Sequence, residues 1–362
     1  MAVEFFDRHF LLCLAVSRVN HGGEPQPFSV EQVMSLSFEI LIDPDWSELD
    51  KLSDRTIFQT KSWLDFVSEA QGATPLILKV REGSQTAGYF TGLVFKKFGM
   101  KILGSPFPGW TTSYQGFNLH IPHARVEALA GLFRFAFKEL GVSHVELMDR
   151  RLTVDEAKAL GWKHRVFSNF EIDLSPSDES IFAQMKGSCR TSIRKSEKDG
   201  IAIESSTDLQ FAEDYYAQLV EVFGKQGLKP TYGLERVQLL MKHLLPTGSL
   251  LLLRARTKNG DCAATGIYPA YNGTMYFWGG ASWRKFQIHQ PNEPLHWFAM
   301  KYWKSRGMTR CDMGGGGEYK RKYGGREIAV PWIRASRYPG LEFARNFAKK
   351  LQSLRQKVRH SD

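Results

Sequence analysis

Long apolar runs are missing from this chain: no stretch approaches the roughly 18 uninterrupted apolar residues that a membrane-spanning helix needs. The nearest, LLCLAV at Leu11–Val16, is bounded by Asp7 and Arg18. Glu4 and Asp7 precede it and no small-residue cleavage site follows, so a soluble, cytoplasmic protein is expected rather than a secreted one. Cysteine is scarce as well. Cys13, Cys189, Cys262 and Cys311 lie far apart, with no CxxC pair and no histidine at a ligand spacing. That scatter argues against a disulfide framework or a zinc site, and no metal is expected. A G-x-S-x-G elbow is also absent, and no cysteine has a convincing histidine partner, so a covalent nucleophile is not expected.

Acidic residues are too few to balance the basic ones: 38 Asp and Glu stand against 48 Lys and Arg, a net charge of +10. The excess sits in three segments. Residues 183–200 carry five basic residues against two acidic, 318–326 four against one, and 341–362 six against two. Localised positive charge points to an anionic partner such as phosphate, nucleic acid or an acidic membrane surface; a solvated basic face is the plainer alternative.

With 362 residues, 43% of them hydrophobic, the chain is expected to form two packed lobes. MSLSFEILIDPDW, from Met34, looks like a domain start, so residues 1–33 are expected to be a loose extension or a mis-called start. Strands are expected at 75–82, 86–95 and 100–107, joined by hairpins, then an irregular stretch, PGWTTSYQGFNL. A helix follows over Val126–Leu140, with Leu129, Leu132, Phe133, Phe135, Ala136 and Leu140 on one broad face, and HVELMDR reads as a strand. The second half repeats the plan: strands at 249–257, 262–271 and 274–282, the loop WRKFQIHQPNE, a helix from Pro294 to Ser305, and the closing strand TRCDMGG. LILKVREGSQTAGYFTG against LLLRARTKNGDCAATG, and KELGVSHVELMD against KSRGMTRCDMG, carry a faint likeness in the same order, which suggests duplication. Between the copies lies one helix candidate, SPSDESIFAQMKGSCRTSIRKSEKDG, with Ser177 or Asp178 as N-cap, and two more helices at 208–226 and 233–245. The expected organisation is a first lobe at 34–160, a second lobe with the active-site cleft at 161–340, and a basic amphipathic helix at 341–362.

A hairpin, strand, helix and strand made twice, with acidic residues ending the closing strand, resembles the GNAT acyltransferase fold. The expected class is therefore α+β: two tandem GNAT-like lobes, each a mixed, mostly antiparallel sheet flanked by helices. MKGSCRTSIRKSEKDGIAI resembles a basic helix of the Fem-type peptidoglycan aminoacyltransferases. YFWGGAS with QPNEPLHWFAMKYWKSRGMTRCDMGG is similar to their second-lobe strand, loop, helix and strand. GEYKRKYGG resembles their glycine, aromatic, lysine and glycine run, shared with Fem-like acyltransferases linked to surface polysaccharides. The resemblance implies transfer of an aminoacyl or acyl group to an amine of a phosphate-linked cell-envelope or surface-polysaccharide precursor. Acyl-CoA or aminoacyl-tRNA would serve as co-substrate, with no tightly bound cofactor. Two departures stand out. The glycine-rich pyrophosphate loop of single-lobe GNAT enzymes is replaced by WRKFQIHQPNEP, and the long helical arm of some Fem members has no counterpart, which removes the case for gripping tRNA that way.

Acyl transfer to an amine needs a neutral amine held at the carbonyl and donors aimed at the developing oxyanion. In DMGGGGEYKRKYGG, Gly314, Gly315, Gly316 and Gly317 permit close backbone approach, and Lys320 can place a charge on phosphate; Tyr319 is the aromatic of the run. Asp312 is a candidate to take the amine proton, or a carboxylate that caps backbone. Arg190 and Arg194, one helical turn apart, and Lys186 could hold a second phosphate or form a solvated face. Tyr276, a candidate catalytic residue, and Trp278 alternate on one strand and could stack on a sugar or base, hydrogen-bond an acyl group, or belong to the core. Trp110, in a Gly/Pro-framed loop, could wall the acceptor groove. His289 and His296 are alternative bases. Two other readings stay open: an acyl-CoA-dependent acetyltransferase acting on an amino sugar or small amine, and a non-catalytic lobe pair binding RNA or the inner face of an acidic membrane.

Overall fold

The computed structural model describes residues 36–338, apart from residues 98, 108 and 121–124. The extension at 1–33, the amphipathic helix at 341–362 and Cys13 lie outside the described residues.

The first half runs β1 (Leu36–Leu41), α1 (Trp46–Leu49), α2 (Lys61–Gln71), β2 (Thr74–Glu82), β3 (Gln85–Lys97), β4 (Met100–Ser105), β5 (Gly116–Leu119), α3 (Arg125–Lys138), β6 (His144–Met148), α4 (Val154–Ala159) and β7 (Lys163–Asp173). The second runs α5 (Asp178–Gln184), α6 (Gly187–Lys198), β8 (Ala202–Ser206), α7 (Gln210–Gly224), α8 (Leu234–Leu244), β9 (Leu250–Arg256), β10 (Cys262–Tyr271), β11 (Thr274–Tyr276), β12 (Gly279–Ser282), α9 (Asn292–Lys304), β13 (Arg310–Gly315) and β14 (Arg326–Ser336). The α+β class and the two tandem lobes are as expected.

All strands belong to one sheet, ordered β1-β2-β3-β4-β6-β14-β7-β13-β11-β10-β9-β8, with β5 on β3 and β12 on β10. This order has the same plan read from either end. In each half a closing strand, β6 or β13, runs parallel to an earlier strand of the same half, β4 or β11, while the remaining strand pairings are antiparallel. The strand that follows each closing strand crosses to the other half: β7 pairs with β13, β14 pairs with β6, and β7 and β14 pair with each other.

Hydrophobic burial welds the halves a second time. Phe58, Trp63 and Phe66 of the first half share one apolar cluster with Val237, Leu240 and Tyr276 of the second. Each such side chain contributes about 1.5–3 kcal/mol by leaving water. Helix α2 lies against α8, and Glu69 accepts hydrogen bonds from Lys242 Nζ at 2.7 Å and pairs with His243 Nε2 at 2.6 Å. Exposed pairs of this kind add little.

Several expectations need correction. The helix expected over the 175–200 segment is two helices. Ser177 does cap the first, but Met185 and Lys186 are extended, because the Lys186 N–H donates to Lys322 C=O at 2.8 Å instead of to its own helix. The strand expected at 274–282 breaks after Tyr276: Phe277 N–H donates to Asp312 C=O at 2.8 Å, and Trp278 N–H to Ile267 C=O at 3.0 Å on the opposite side. The stretch 108–119, expected to be irregular, contains β5. Helix α9 starts at Asn292, so Pro294 is its third residue, not its first. The two crossing strands, β7 and β14, are additions to the expected plan.

Ile333 on β14 is fully buried in the apolar cluster of the first half, with Leu78, Phe133 and Val145. Ile333→Ala is expected to lower unfolding stability by about 2–5 kcal/mol, read from urea denaturation. Because β14 is shared, fluorescence and circular dichroism should follow one transition; two separated transitions would show that the halves unfold independently.

Candidate active site

The parallel ladder between β11 and β13 ends at the pair Tyr276 and Asp312. Beyond it β11 turns away to β10, and the two strands part. A cavity of about 420 Å³ occupies that opening, with Asp312, Met313, Gly314, Gly315 and Lys320 on one side and Tyr276, Phe277 and Trp278 on the other. The first lobe closes it with Phe58 and the loop residues Gly109, Thr111, Thr112 and Ser113. That loop is pinned by Trp63 Nε1 donating to Thr112 Oγ1 at 3.0 Å and by Arg236 donating to the Gly109 carbonyl at 3.4 Å. Thr231, in the connection between α7 and α8, completes the wall.

A β-bulge aims the residues at the end of β13. Asp312 faces Glu171 on β7 and Gly315 faces Asn169, so β13 holds one residue more than β7 between the two pairs. Gly314 takes the bulge conformation with φ +69°, which an L side chain rarely adopts. Its N–H donates to Asp312 Oδ1 at 2.6 Å. Gly315 serves a different need: a Cβ there would sit 2.7 Å from Asn169 Oδ1.

Asp312 is only 2% exposed. Burial pushes its carboxyl up to about 6, opposed by the hydrogen bonds from Gly314 N–H and the Tyr114 hydroxyl; the Glu171 charge raises it further and Arg150 lowers it. Such a group is ionised at neutral pH yet close enough to it to take and release a proton. Burial also drives the Tyr276 phenol well above its ordinary range, with the Asp312 charge adding to the effect. The Tyr276 ring packs against Phe58 with centroids 4.8 Å apart. The Trp278 indole N–H is buried on the cavity wall without an acceptor among the described residues.

Lys320 points inward. Its Nζ donates to the carbonyls of Met313 at 2.6 Å and Gly315 at 2.9 Å, so two of its three N–H groups hold the glycine loop in shape. Burial lowers its pKa, while the charge of Asp312 raises it.

The other expected site residues lie elsewhere. Arg190 and Arg194 on α6, and Lys186 just before it, are outside the cavity lining; Arg190 donates to the Ala183 carbonyl and Arg194 sits over the Phe182 ring. Tyr319 is half exposed, and Gly316 and Gly317 carry the chain past the cavity with positive φ. Trp110 packs on Phe95 and Phe107 while its neighbours form the wall. Trp278 follows the strand break, so it shares no strand face with Tyr276. His296 is buried against Tyr268, with burial pulling it down to about 3, and His289 pairs with Asp199 at 2.8 Å; neither lines the cavity. Phe58, Thr231, Asn169 and Glu171 were not expected. Only β7, legible in retrospect as the run VFSNFEID, carries a sequence signal for the last two.

Among the described residues there is no helix long and apolar enough to cross a membrane and no cluster of side chains that could hold a metal ion. A family model described as an acetyltransferase (GNAT) domain matches residues 183–322. No curated protein matches the chain in sequence. In structure the chain is similar to FemX, with TM-score 0.65 and 14% identity over 82% of this chain and 97% of that one. It is also similar to a tandem GNAT protein from the clavulanic acid biosynthesis pathway, with TM-score 0.52 and 12% identity over 84% and 99%. A conserved protein of unknown function from Bacteroides thetaiotaomicron gives TM-score 0.54 and 11% identity over 83% and 99%. The fold is that of a tandem GNAT protein, and most of the cavity's lining lies within the segment that matches the GNAT domain.

The raised Asp312 pKa has a consequence for stability. An unfolded aspartate titrates near 3.8 and the folded one near 6, so between those values the folded chain binds more protons. Stability therefore falls as pH rises through that window, by an amount on the order of 3 kcal/mol. Asp312→Asn should raise the thermal midpoint at neutral pH and lose that part of the pH dependence. An unchanged midpoint would contradict the burial assigned to this carboxylate.

Proposed function

We propose that the chain transfers an acyl group to a primary amine held in the cavity between the lobes, with Asp312 accepting the amine proton. The observation that carries this reading is the buried carboxylate of Asp312 at the parting of β11 and β13, fixed by Gly314 N–H and held near neutrality. The amine nitrogen forms a bond to the acyl carbonyl carbon, and the carbonyl π electrons move to oxygen. Collapse of this intermediate breaks the C–O or C–S bond to the leaving group. The proton lost by nitrogen goes to Asp312, which passes it on to the leaving alkoxide or thiolate and is returned to its ionised form. Lys320, with one N–H not engaged by the loop, faces the developing oxyanion, and the Trp278 indole N–H donates to a ligand oxygen.

The donor is an aminoacyl ester carried on tRNA, and the acceptor a phosphate-linked cell-envelope or surface-polysaccharide precursor at the cytoplasmic face of the membrane. The Fem-like architecture supports that choice. Any phosphate of such a precursor lies outside the cavity floor, toward α6, because Lys186, Arg190 and Arg194 are there. A second reading, an acyl-CoA donor acting on an amino sugar or small amine, is favoured by the match of residues 183–322 to an acetyltransferase domain.

The chain assayed with acetyl-CoA and with aminoacyl-tRNA, against glucosamine and a UDP-linked amino sugar, distinguishes the two. In whichever pair reacts, Asp312→Asn is expected to lower kcat by about 10²–10⁴. The wild-type rate should fall below about pH 6, where the carboxylate takes up a proton and can no longer accept one. Full turnover by Asp312→Asn would sink the assignment. Lys320→Ala is expected to cost about 10²–10³ in kcat, and Lys320→Arg to recover little of it, because the longer planar group does not fit between the two carbonyls. Retention of full turnover in both would remove Lys320 from the chemistry.

A further inference from the structure

Tyr114 belongs to the first-lobe loop between β4 and β5, yet its hydroxyl lies within interaction range of the Asp312 carboxylate in the second lobe and helps to lower that carboxyl's pKa. The same phenol oxygen accepts a hydrogen bond from Asn169 Nδ2 on β7. An amide N–H can only donate, so the oxygen is the acceptor there and the phenol proton is left for the carboxylate. The polarity of the chain is thereby set, from amide to phenol to carboxylate.

Each member is held by its surroundings. The Tyr114 ring is buried beside Phe58, its own carbonyl accepts from Thr56 Oγ1 at 3.1 Å, and the adjacent Gln115 side chain donates to the Phe58 carbonyl at 3.0 Å. Asn169 stands opposite Gly315, whose missing Cβ leaves room for the amide oxygen.

We propose that Tyr114 and Asn169 are positioning residues for Asp312, so that the docked first lobe orients the base of the second. This rests on the reading of Asp312 as the base. The amide fixes the direction of the phenol proton, the phenol fixes the rotamer and charge of the carboxylate, and the first lobe takes part in the chemistry as well as forming a wall. Gly315 then belongs to the same arrangement, since any side chain there displaces Asn169.

The other groups facing Asp312 are Glu171 across the ladder on β7, Arg150 paired to Glu171, Lys320 from the glycine loop, and Tyr276 and Cys311 alongside. None is removed by Tyr114→Phe, which also keeps the buried ring. A hydrogen bond donated to an ionised carboxylate favours the ionised form, so its loss must raise the midpoint of titration.

The test uses the full chain labelled with ¹³C at the aspartate carboxyls, with the Asp312 signal identified by its disappearance in Asp312→Asn. The wild-type signal should titrate near 6. In Tyr114→Phe the midpoint should rise by about one unit, the size expected for a lost hydrogen bond to a charged group. In Asn169→Ala, where the hydroxyl remains but is no longer oriented, the rise should be smaller and of the same sign. An unchanged midpoint in Tyr114→Phe overturns the proposal; should that variant fail to fold by circular dichroism, an unchanged midpoint in Asn169→Ala overturns it instead. The titration needs no substrate, so failure of the acyl-transfer reading leaves it standing, and its own failure leaves Asp312 available as a base oriented by Gly314 alone.

Discussion

The exchange of β7 and β14 between the lobes is the constraint on which the rest of the structure depends. Each crossing strand satisfies the free edge of a closing strand in the opposite half, and the two pair with each other along the middle of the sheet. Unpaired edge groups in so buried a position are costly, which makes the crossing hard to undo. The cavity follows from it. Strand β7 brings Asn169 and Glu171 alongside Asp312, and the first-lobe loop that carries Tyr114 comes to rest over the opening of the second lobe.

The electrostatics of the site follow from burial in the same way. A carboxylate with little access to water has one backbone N–H, one phenol and a nearby ammonium among its surroundings, with the Glu171–Arg150 pair across the ladder. The ammonium of Lys320 is itself bound to two carbonyls of the loop that presents the carboxylate, so the two charges are fixed relative to each other before any ligand arrives. Preorganisation of this kind is what acyl transfer without a covalent nucleophile requires. It is maintained at the expense of stability, since the folded chain holds an ionised group where a neutral one would be easier to bury.

Much of this was legible in the residues. The hairpins, the helix with Leu129, Leu132 and Phe133 on its inner face, and the repeated order of elements all follow from local periodicity and turn chemistry. DMGGGGEYKRKYGG contains residues that line the cavity, and it stands out in the sequence because four glycines after a strand have few purely structural uses. What stayed hidden depends on partners distant in sequence. The direction of Lys320 is set by carbonyls that turn toward it only once the bulge forms, and the break after Tyr276 is set by two donors choosing acceptors on opposite neighbours. The basic residues of α6 form a sound helical stripe, but periodicity says nothing about which way that stripe faces, and none of them lines the cavity. The contribution of β7 was invisible for the same reason: its pairing is with a strand from the other half.

The symmetrical strand order has an implication for ancestry. Two copies of a single-lobe protein that traded equivalent strands would form a domain-swapped homodimer with this arrangement, each subunit completing its neighbour's sheet. Joining the two genes would then preserve the trade within one polypeptide. On that history the copies were free to diverge in the residues at their strand ends, with one retaining the open cleft and the other lending it a loop, while the swapped strands kept them from ever becoming separable.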